Sequence, residues 1–422
     1  MSDADLDSYY DELERRAEER RARRHTGRRG RPRRRRRAAS ADWLDRRLLT
    51  VLAVTLAIAT VVAMALLWPG GAIPHLRTPP PAGHGAHVLG LRDAPCAGAS
   101  GGRCAWAMVS VAHQRTRVDL GPVATAPSLR VGEAIRVGHE QVPTSTASTT
   151  GSAWEFVDVD RHGSLIWLAL IAVVLSVLVL RWRGLLAAFG VGVSLWLVMT
   201  FLIPALLAGE PALLVSLVTA LAVMFVTLVL TSGFGPQTLA AALGIGSTLL
   251  LTAVIALVAV GVAQLNGRTD DLSSYLGSIG PGISLQGIVL AGMVIGALGV
   301  LADTAVTQAS AVMSLRHADP DLGAGALYRA SLRIGRDHLS ATIHTLVLAY
   351  AGAALPLLLV TRYSGIGLTD AINTQDIAEP IVAALVGCLG LICAVPVTSG
   401  LAAVLVARAP ASEFASVHAH QH

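Results

Sequence analysis

The sequence predicts a mainly α, polytopic membrane helix bundle of eight transmembrane helices, with a small extracytoplasmic β domain between helices 1 and 2. Three observations carry this expectation. Of 422 residues, 53% are hydrophobic and only 14% charged, with a mean hydropathy of +0.59, too apolar a balance for an ordinary soluble domain. The apolar residues gather in blocks of 17 or more, the length at which a helix can cross a hydrocarbon core of about 30 Å. Finally, the 33 basic residues are all arginine and are distributed unevenly between alternate connecting segments, as the positive-inside rule requires of a multi-pass protein.

Taken in order, residues 1–47 form a polar tail with acids early (Asp3, Asp5, Asp7, Asp11, Glu12, Glu14) and arginines late, 14 of them before residue 38. Asp11 with Arg15, Glu12 with Arg16 and Glu19 with Arg23 are acid-before-base pairs four apart, which support a solvated helix to about Arg24. Gly27, Gly30 and Pro32 break it, so the tail is expected to be partly disordered. Arg29-Gly30-Arg31-Pro32 resembles the core of an AT-hook, but the cluster stands directly before an apolar span. There it holds the tail in the cytoplasm and attracts anionic lipid; nucleic acid is not an expected partner.

The first span is 48–68, too long for a signal-peptide core. Residues 69–163 follow, with Pro79-Pro80-Pro81 as a linker and a period-2 texture in two places. Thr116, Val118 and Leu120 alternate with Arg115, Arg117 and Asp119; Val131, Ala134, Ile135 and Val137 sit among Arg130, Glu133 and Arg136. This predicts a small β domain. Residues 164–408 carry seven more spans, at 164–180, 185–203, 212–230, 239–265, 285–313, 341–360 and 380–407, and 409–422 form a second tail. An even number of spans puts both termini on one side. Arg181, Arg183, Arg316, Arg329, Arg333, Arg336 and Arg408 share that side with the arginine-rich tail, whereas the opposite short loops hold Arg268 and Arg362. Both termini are therefore expected in the cytoplasm, and the β domain outside a bacterial plasma membrane.

From the second span onward an ordered set of motifs is recognisable. Trp154-Glu155-Phe156-Val157-Asp158-Val159-Asp160-Arg161 precedes a span and Arg181-Trp182-Arg183-Gly184 follows it. Gly296-Ala297-Leu298-Gly299-Val300-Leu301 leads to Asp303 and Val306-Thr307-Gln308-Ala309-Ser310. Gly335-Arg336-Asp337-His338, Thr345 to Gly352, Val386-Gly387 and Ala394-Val395-Pro396-Val397-Thr398 come after. In these, from about residue 85 to 405, the chain resembles the YibE/F family of bacterial multi-pass membrane proteins. The resemblance implies membrane topology and no settled activity. Four positions depart from the family pattern: Ala302 stands where a second Asp is expected, His344 where Asn is usual, and Pro380 and Ala383 where Glu and Arg are usual.

Chemistry is expected in the sixth and seventh spans. Gly292, Gly296, Gly299, Asp303, Thr307 and Ser310 are spaced 4, 3, 4, 4 and 3, hence along one helical face. The three glycines are expected to let a neighbouring helix pack closely, and an ionisable residue within a span usually faces the bundle. In the seventh span His338, Thr342, Thr345, Ala349 and Gly352 form a second small and polar stripe. His344 is expected to face Asp303 as a proton or cation relay, since imidazole titrates near neutral pH. Gln308, from the family motif, and Thr345 complete the expected path. Cys96 and Cys104 are expected to be bridged, and Cys388 and Cys393, five apart, to pack as small apolar residues. No HExxH, P-loop, GxSxG or CxxC occurs, so neither an enzyme nor a cofactor is expected, and no metal is assigned. These readings point to a transporter or channel-like permease for a small solute or ion. The alternative is an envelope scaffold whose β domain binds a protein partner.

Overall fold

The computed structural model describes residues 35–70, 83–96, 102–139, 154–233, 235–268 and 284–407, with side chains from residue 50 onward. The acidic and basic clusters before residue 35, the Pro79–Pro81 linker, Gly280-Pro281-Gly282 and the terminal tail lie outside the described residues.

Helix α1 (Arg35–Leu66) begins earlier than the apolar span it contains. A β barrel follows, built from β1 (His84–Pro95), β2 (Arg103–Val111), β3 (Gln114–Pro122), β4 (Ala134–His139) and β5 (Trp154–Val159). Its strand order is β1-β2-β3-β5-β4, closed by β1 against β4, and every pairing is antiparallel except β3 with β5. This is a five-stranded Greek-key barrel of the OB type. Alternate residues point inward, so Ala86, Val88, Ala107, Val109, Val111, Val118, Ile135 and Val137 make a closed core of their own. Val118, Ile135 and Val137 are the alternating residues of the sequence expectation; Val131, also expected there, is exposed and precedes β4. The β2–β3 hairpin turns on Ala112 and His113, both at positive φ (46° and 70°), the geometry that matches strand twist in a two-residue turn.

A disulfide joins Cys96 to Cys104, across the ends of β1 and β2, where Ala94 already pairs with Cys104. The closed loop is shorter than the ~15 residues for which chain entropy contributes about 3 kcal/mol, so its contribution is somewhat smaller. Alkylation of freshly prepared membranes without reductant should leave both thiols unlabelled, as read by intact mass; labelling of both would show the bond is not native.

Among the described residues, seven helices are long and apolar enough to cross a membrane: α2 (His162–Leu180), α3 (Trp182–Leu207), α4 (Ala212–Ser232), α5 (Pro236–Val262), α6 (Leu285–Ala318), α7 (Ala324–Tyr363) and α9 (Gln375–Ala407). A five-residue α8 (Leu368–Ile372) links the last two. In α1 the apolar part with described side chains, Thr50–Leu66, is shorter than those seven. It nevertheless packs on the bundle. Leu56 approaches Gly246 of α5, Ala63 and Met64 join the α3–α4 contact, and just past the helix end Trp68 stacks on Phe201 at 5.7 Å.

Local chemistry explains several helix boundaries. Arg181, at φ 57°, separates α2 from α3, and a Cβ at Gly184 would collide with the Ser176 carbonyl oxygen, so only glycine lets this hairpin close. Within α3, Pro204 cannot continue the donor ladder, and the preceding Val198–Leu202 turn is π-helical. Helix α4 ends at Gly233 (φ 66°), whose N–H donates to the Val229 carbonyl, and α5 starts with Pro236 in its first turn. Ser284 caps α6 by accepting from the Gly287 N–H at 3.0 Å.

Helices α4, α5, α6 and α9 form the centre, with α1, α3 and α7 against them, while α2 buries no residue. At the end of the bundle that holds the α6–α7 turn, called proximal with the opposite end distal, Gln237 of α5 hydrogen-bonds Ser310 of α6, and Arg316 donates to the Leu322 and Ala407 carbonyls, tying that turn to the end of α9. At the distal end the Asn266 N–H donates to the Gln375 side chain.

The structure departs from the sequence expectation between α6 and α7. The segment from 314 to 340, read as a loop, is two helical extensions around a short turn. Helix α7 has 40 residues, about 60 Å at 1.5 Å per residue and twice a hydrocarbon core. Its first half is amphipathic, burying Leu327, Ser331 and Gly335 at four-residue intervals among exposed arginines.

Candidate functional site

The distinctive chemistry of the bundle lies toward its proximal end, where α5, α6, α7 and α9 meet. Thr304 and Gln308 are one turn apart on the buried face of α6, and both are fully enclosed. Ser399 of α9 donates its hydroxyl to the Gln308 side-chain oxygen at 2.9 Å. Gly335 of α7 lies directly against that amide: a Cβ there would sit 2.9 Å from both Gln308 amide atoms and 2.6 Å from Val395 Cγ1. On the other flank, a Cβ at Gly244 of α5 would be 2.5 Å from Thr398 Oγ1. The same device recurs two turns away, where Gly390 of α9 accommodates Thr252 of α5. Small residues thus bring four helices close around polar side chains.

Four atoms in this region are buried without a hydrogen-bond partner: Thr304 Oγ1, Gln308 Nε2, His338 Nε2 and Thr398 Oγ1. The one other such atom among the described residues is Gln375 Nε2, at the distal end. Leaving a buried donor or acceptor unmade costs about 1–3 kcal/mol, so such atoms are costly in an apolar bundle unless water or another polar group meets them. Most other buried hydroxyls satisfy themselves on their own helices: Thr219, Thr248, Thr252, Ser331 and Thr342 donate to carbonyls three or four residues earlier.

The residues expected from the sequence are placed differently. Asp303 has a side chain 66% exposed, and the imidazole near it belongs to His338, with Nε2 3.7 Å from Oδ2, not to His344. His344 points away from α6 and is exposed, its Nδ1 2.6 Å from the Ser340 carbonyl oxygen of its own helix. Six residues of helix separate the two histidines, a rotation of about 240°, so they cannot share a face. Thr345 is also exposed and donates to the Thr342 carbonyl. The close helix packing expected at Gly292, Gly296 and Gly299 is corrected as well. All three are exposed, a Cβ at Gly292 or Gly299 would meet nothing within 4 Å, and at Gly296 it would meet just the Tyr350 hydroxyl, at 3.0 Å. Helix α6 buries its opposite face, through Leu290, Val294, Ala297, Leu301, Thr304 and Gln308, because larger side chains there contribute more contact. Thr307 and Ser310 are half-buried, Ser310 through its bond to Gln237.

Gln308 was legible from the sequence through its motif. Thr304, Gly244, Gly335, Thr398 and Ser399 were not picked out as a site; the available signal was a polar Thr398-Ser399 pair deep in an apolar span and Thr304 one turn from Gln308. No group of three or more potential metal ligands occurs among the described residues.

The YibE/F-like protein family model matches residues 168–408, more than half of the chain and every helix of this cluster. The chain belongs to the YibE/F-like family. The match begins within α2, so the barrel, which the sequence resemblance had included from residue 85, lies outside it. No curated protein and no solved structure matches the chain. The polar cluster thus falls wholly within the matched segment.

Proposed function

We propose that this YibE/F-like protein is a transporter or channel-like permease for a small solute or ion, not an enzyme, and that its path passes the Thr304–Gln308–Ser399 cluster. The observation that carries the reading is the set of unpartnered polar atoms drawn from α6, α7 and α9 into an otherwise apolar bundle. An anchor gains nothing from buried polar atoms that make no hydrogen bond, whereas a permeation site needs groups that exchange water for a passing solute. Neutral hydroxyls and an amide suit a hydrogen-bonding solute or a weakly held cation.

In this reading α1 is the eighth crossing helix, the proximal end is cytoplasmic together with both termini, and the barrel stands outside a bacterial plasma membrane. The arginine distribution supports that orientation: Arg181, Arg183, Arg329, Arg333 and Arg336 on one side against Arg268 and Arg362 on the other. The arginine-rich tail meets anionic lipid. A second role, binding an envelope protein partner through the barrel, is favoured by that barrel's own closed core and disulfide.

The test uses purified protein in sealed vesicles loaded with a panel of monovalent ions and small polar solutes. Their retention is read by mass spectrometry against protein-free vesicles. A selective loss from the protein-containing vesicles is expected; identical retention across the panel would overturn transport and leave the partner-binding role.

A further inference from the structure

We propose that protons enter the bundle through Asp303 and His338, so that the transport proposed above is proton-coupled; the inference rests on that reading and names its coupling ion. Asp303 is open to the surroundings, with a 66% exposed side chain, while His338 is 30% exposed and its enclosed Nε2, which makes no hydrogen bond, lies 3.7 Å from the Asp303 carboxylate. The imidazole is thus the group of α7 that meets this carboxylate. Gly335, one turn before His338 on α7, touches the Gln308 amide, and Thr304 is the residue after Asp303 on α6. Among the described residues no carboxylate lies on the buried faces of α5, α6 or α7. Helix α6 has no further charged residue before Arg316, and α5 has none. Helix α9 has Asp376 and Glu379 at its distal start and then only the thiols of Cys388 and Cys393. Helix α8 has Asp370, also distal. On α7 itself Arg329, Arg333, Arg336, Asp337 and His344 are exposed.

The step is a simple transfer. Asp303 takes a proton from water, and its O–H bond breaks as an N–H bond forms at Nε2 of neutral His338, leaving a carboxylate beside an imidazolium. The 3.7 Å separation must contract by about 0.5–1 Å to reach hydrogen-bonding range. An imidazole is suited to this because each ring nitrogen can accept or release a proton. His338 lies one turn from Gly335, which abuts the Gln308 amide, and this adjacency links protonation to the occupancy of the cluster.

The experiment is histidine side-chain 15N NMR of the full-length protein in phospholipid nanodiscs between pH 5 and 9, with the His338 signal assigned by its loss in His338→Gln. It is paired with proton uptake into vesicles under an imposed potassium diffusion potential, read by an internal pH dye. The His338 ring signals of Asp303→Asn should be shifted from those of the wild type at the same pH, because the carboxylate beside Nε2 has been removed. Proton uptake should fall to the protein-free rate in Asp303→Asn and in His338→Gln and persist in His344→Gln. An unshifted His338 in Asp303→Asn, or undiminished uptake in both variants, would overturn the proton route. Solute flux in the retention assay without that shift would sink this inference and leave transport standing. The shift without any solute flux would sink transport and leave a proton-binding pair.

Discussion

Replacing Gln308 by methionine should abolish transport while leaving the protein as stable as the wild type or more so. Methionine keeps the unbranched length that fits beside Gly335 but carries no amide, so the unpartnered Nε2 and its desolvation cost of about 1–3 kcal/mol disappear together. Ser399 loses its acceptor at 2.9 Å, yet a serine in a helix can donate instead to the carbonyl one turn earlier. A side chain present for packing alone would show the opposite pattern, losing melting temperature and keeping flux. The two readouts are thermal unfolding by intrinsic fluorescence and flux in sealed vesicles. Loss of stability with retained flux would mean that Gln308 is structural.

Gly335→Ala should destabilise by about 1–3 kcal/mol, the usual cost of forcing a methyl into a filled core. The new Cβ would fall 2.6 Å from Val395 Cγ1 and 2.9 Å from the Gln308 amide. Neither neighbour yields easily, since valine has one preferred rotamer in a helix and Gln308 is held by Ser399. Val395→Ala removes the nearer obstacle, so the double variant should recover part of the loss and the two changes should be non-additive. An unchanged melting temperature in the single variant would show that α7 does not approach α6 and α9 this closely.

These two residues also mark what the sequence could and could not disclose. The crossing helices were legible because their apolar runs are long and the arginines segregate, and seven of them appear where the runs are. The start of α7 was not, because a hydropathy run detects all-round apolar helices and Leu327, Ser331 and Gly335 form a narrow stripe between arginines. In the barrel, Ile135 and Val137 announced β4 by alternation. In β1, by contrast, His84, Gly85, His87 and Gly90 interrupt the pattern, and a register shift between Val88 and Gly90 changes its phase.

At the site, Asp303 stood out as an ionisable residue in an apolar helix. Its neighbour was misread because the phase of α7 relative to α6 is set by packing, which brought Gly335 and His338 inward and turned His344 outward. Likewise the glycines at 292, 296 and 299 looked like a packing seam by spacing alone, and they are exposed because α6 buries its bulkier face. Spacing defines a face; it does not say which neighbour the face meets.

The central claim is that the enclosed polar cluster is visited by water and solute, which a substrate-free measurement addresses most directly. Thr398→Cys, in a background with Cys388 and Cys393 replaced by alanine, should react in native membranes with a charged, water-soluble methanethiosulfonate, although Thr398 is fully buried in the described conformation. Val215→Cys, equally buried but in the apolar α3–α4 contact, should stay unreacted under the same exposure. Labelling at Thr398→Cys with protection at Val215→Cys is the predicted result, whereas equal protection of both positions would contradict a path through the cluster.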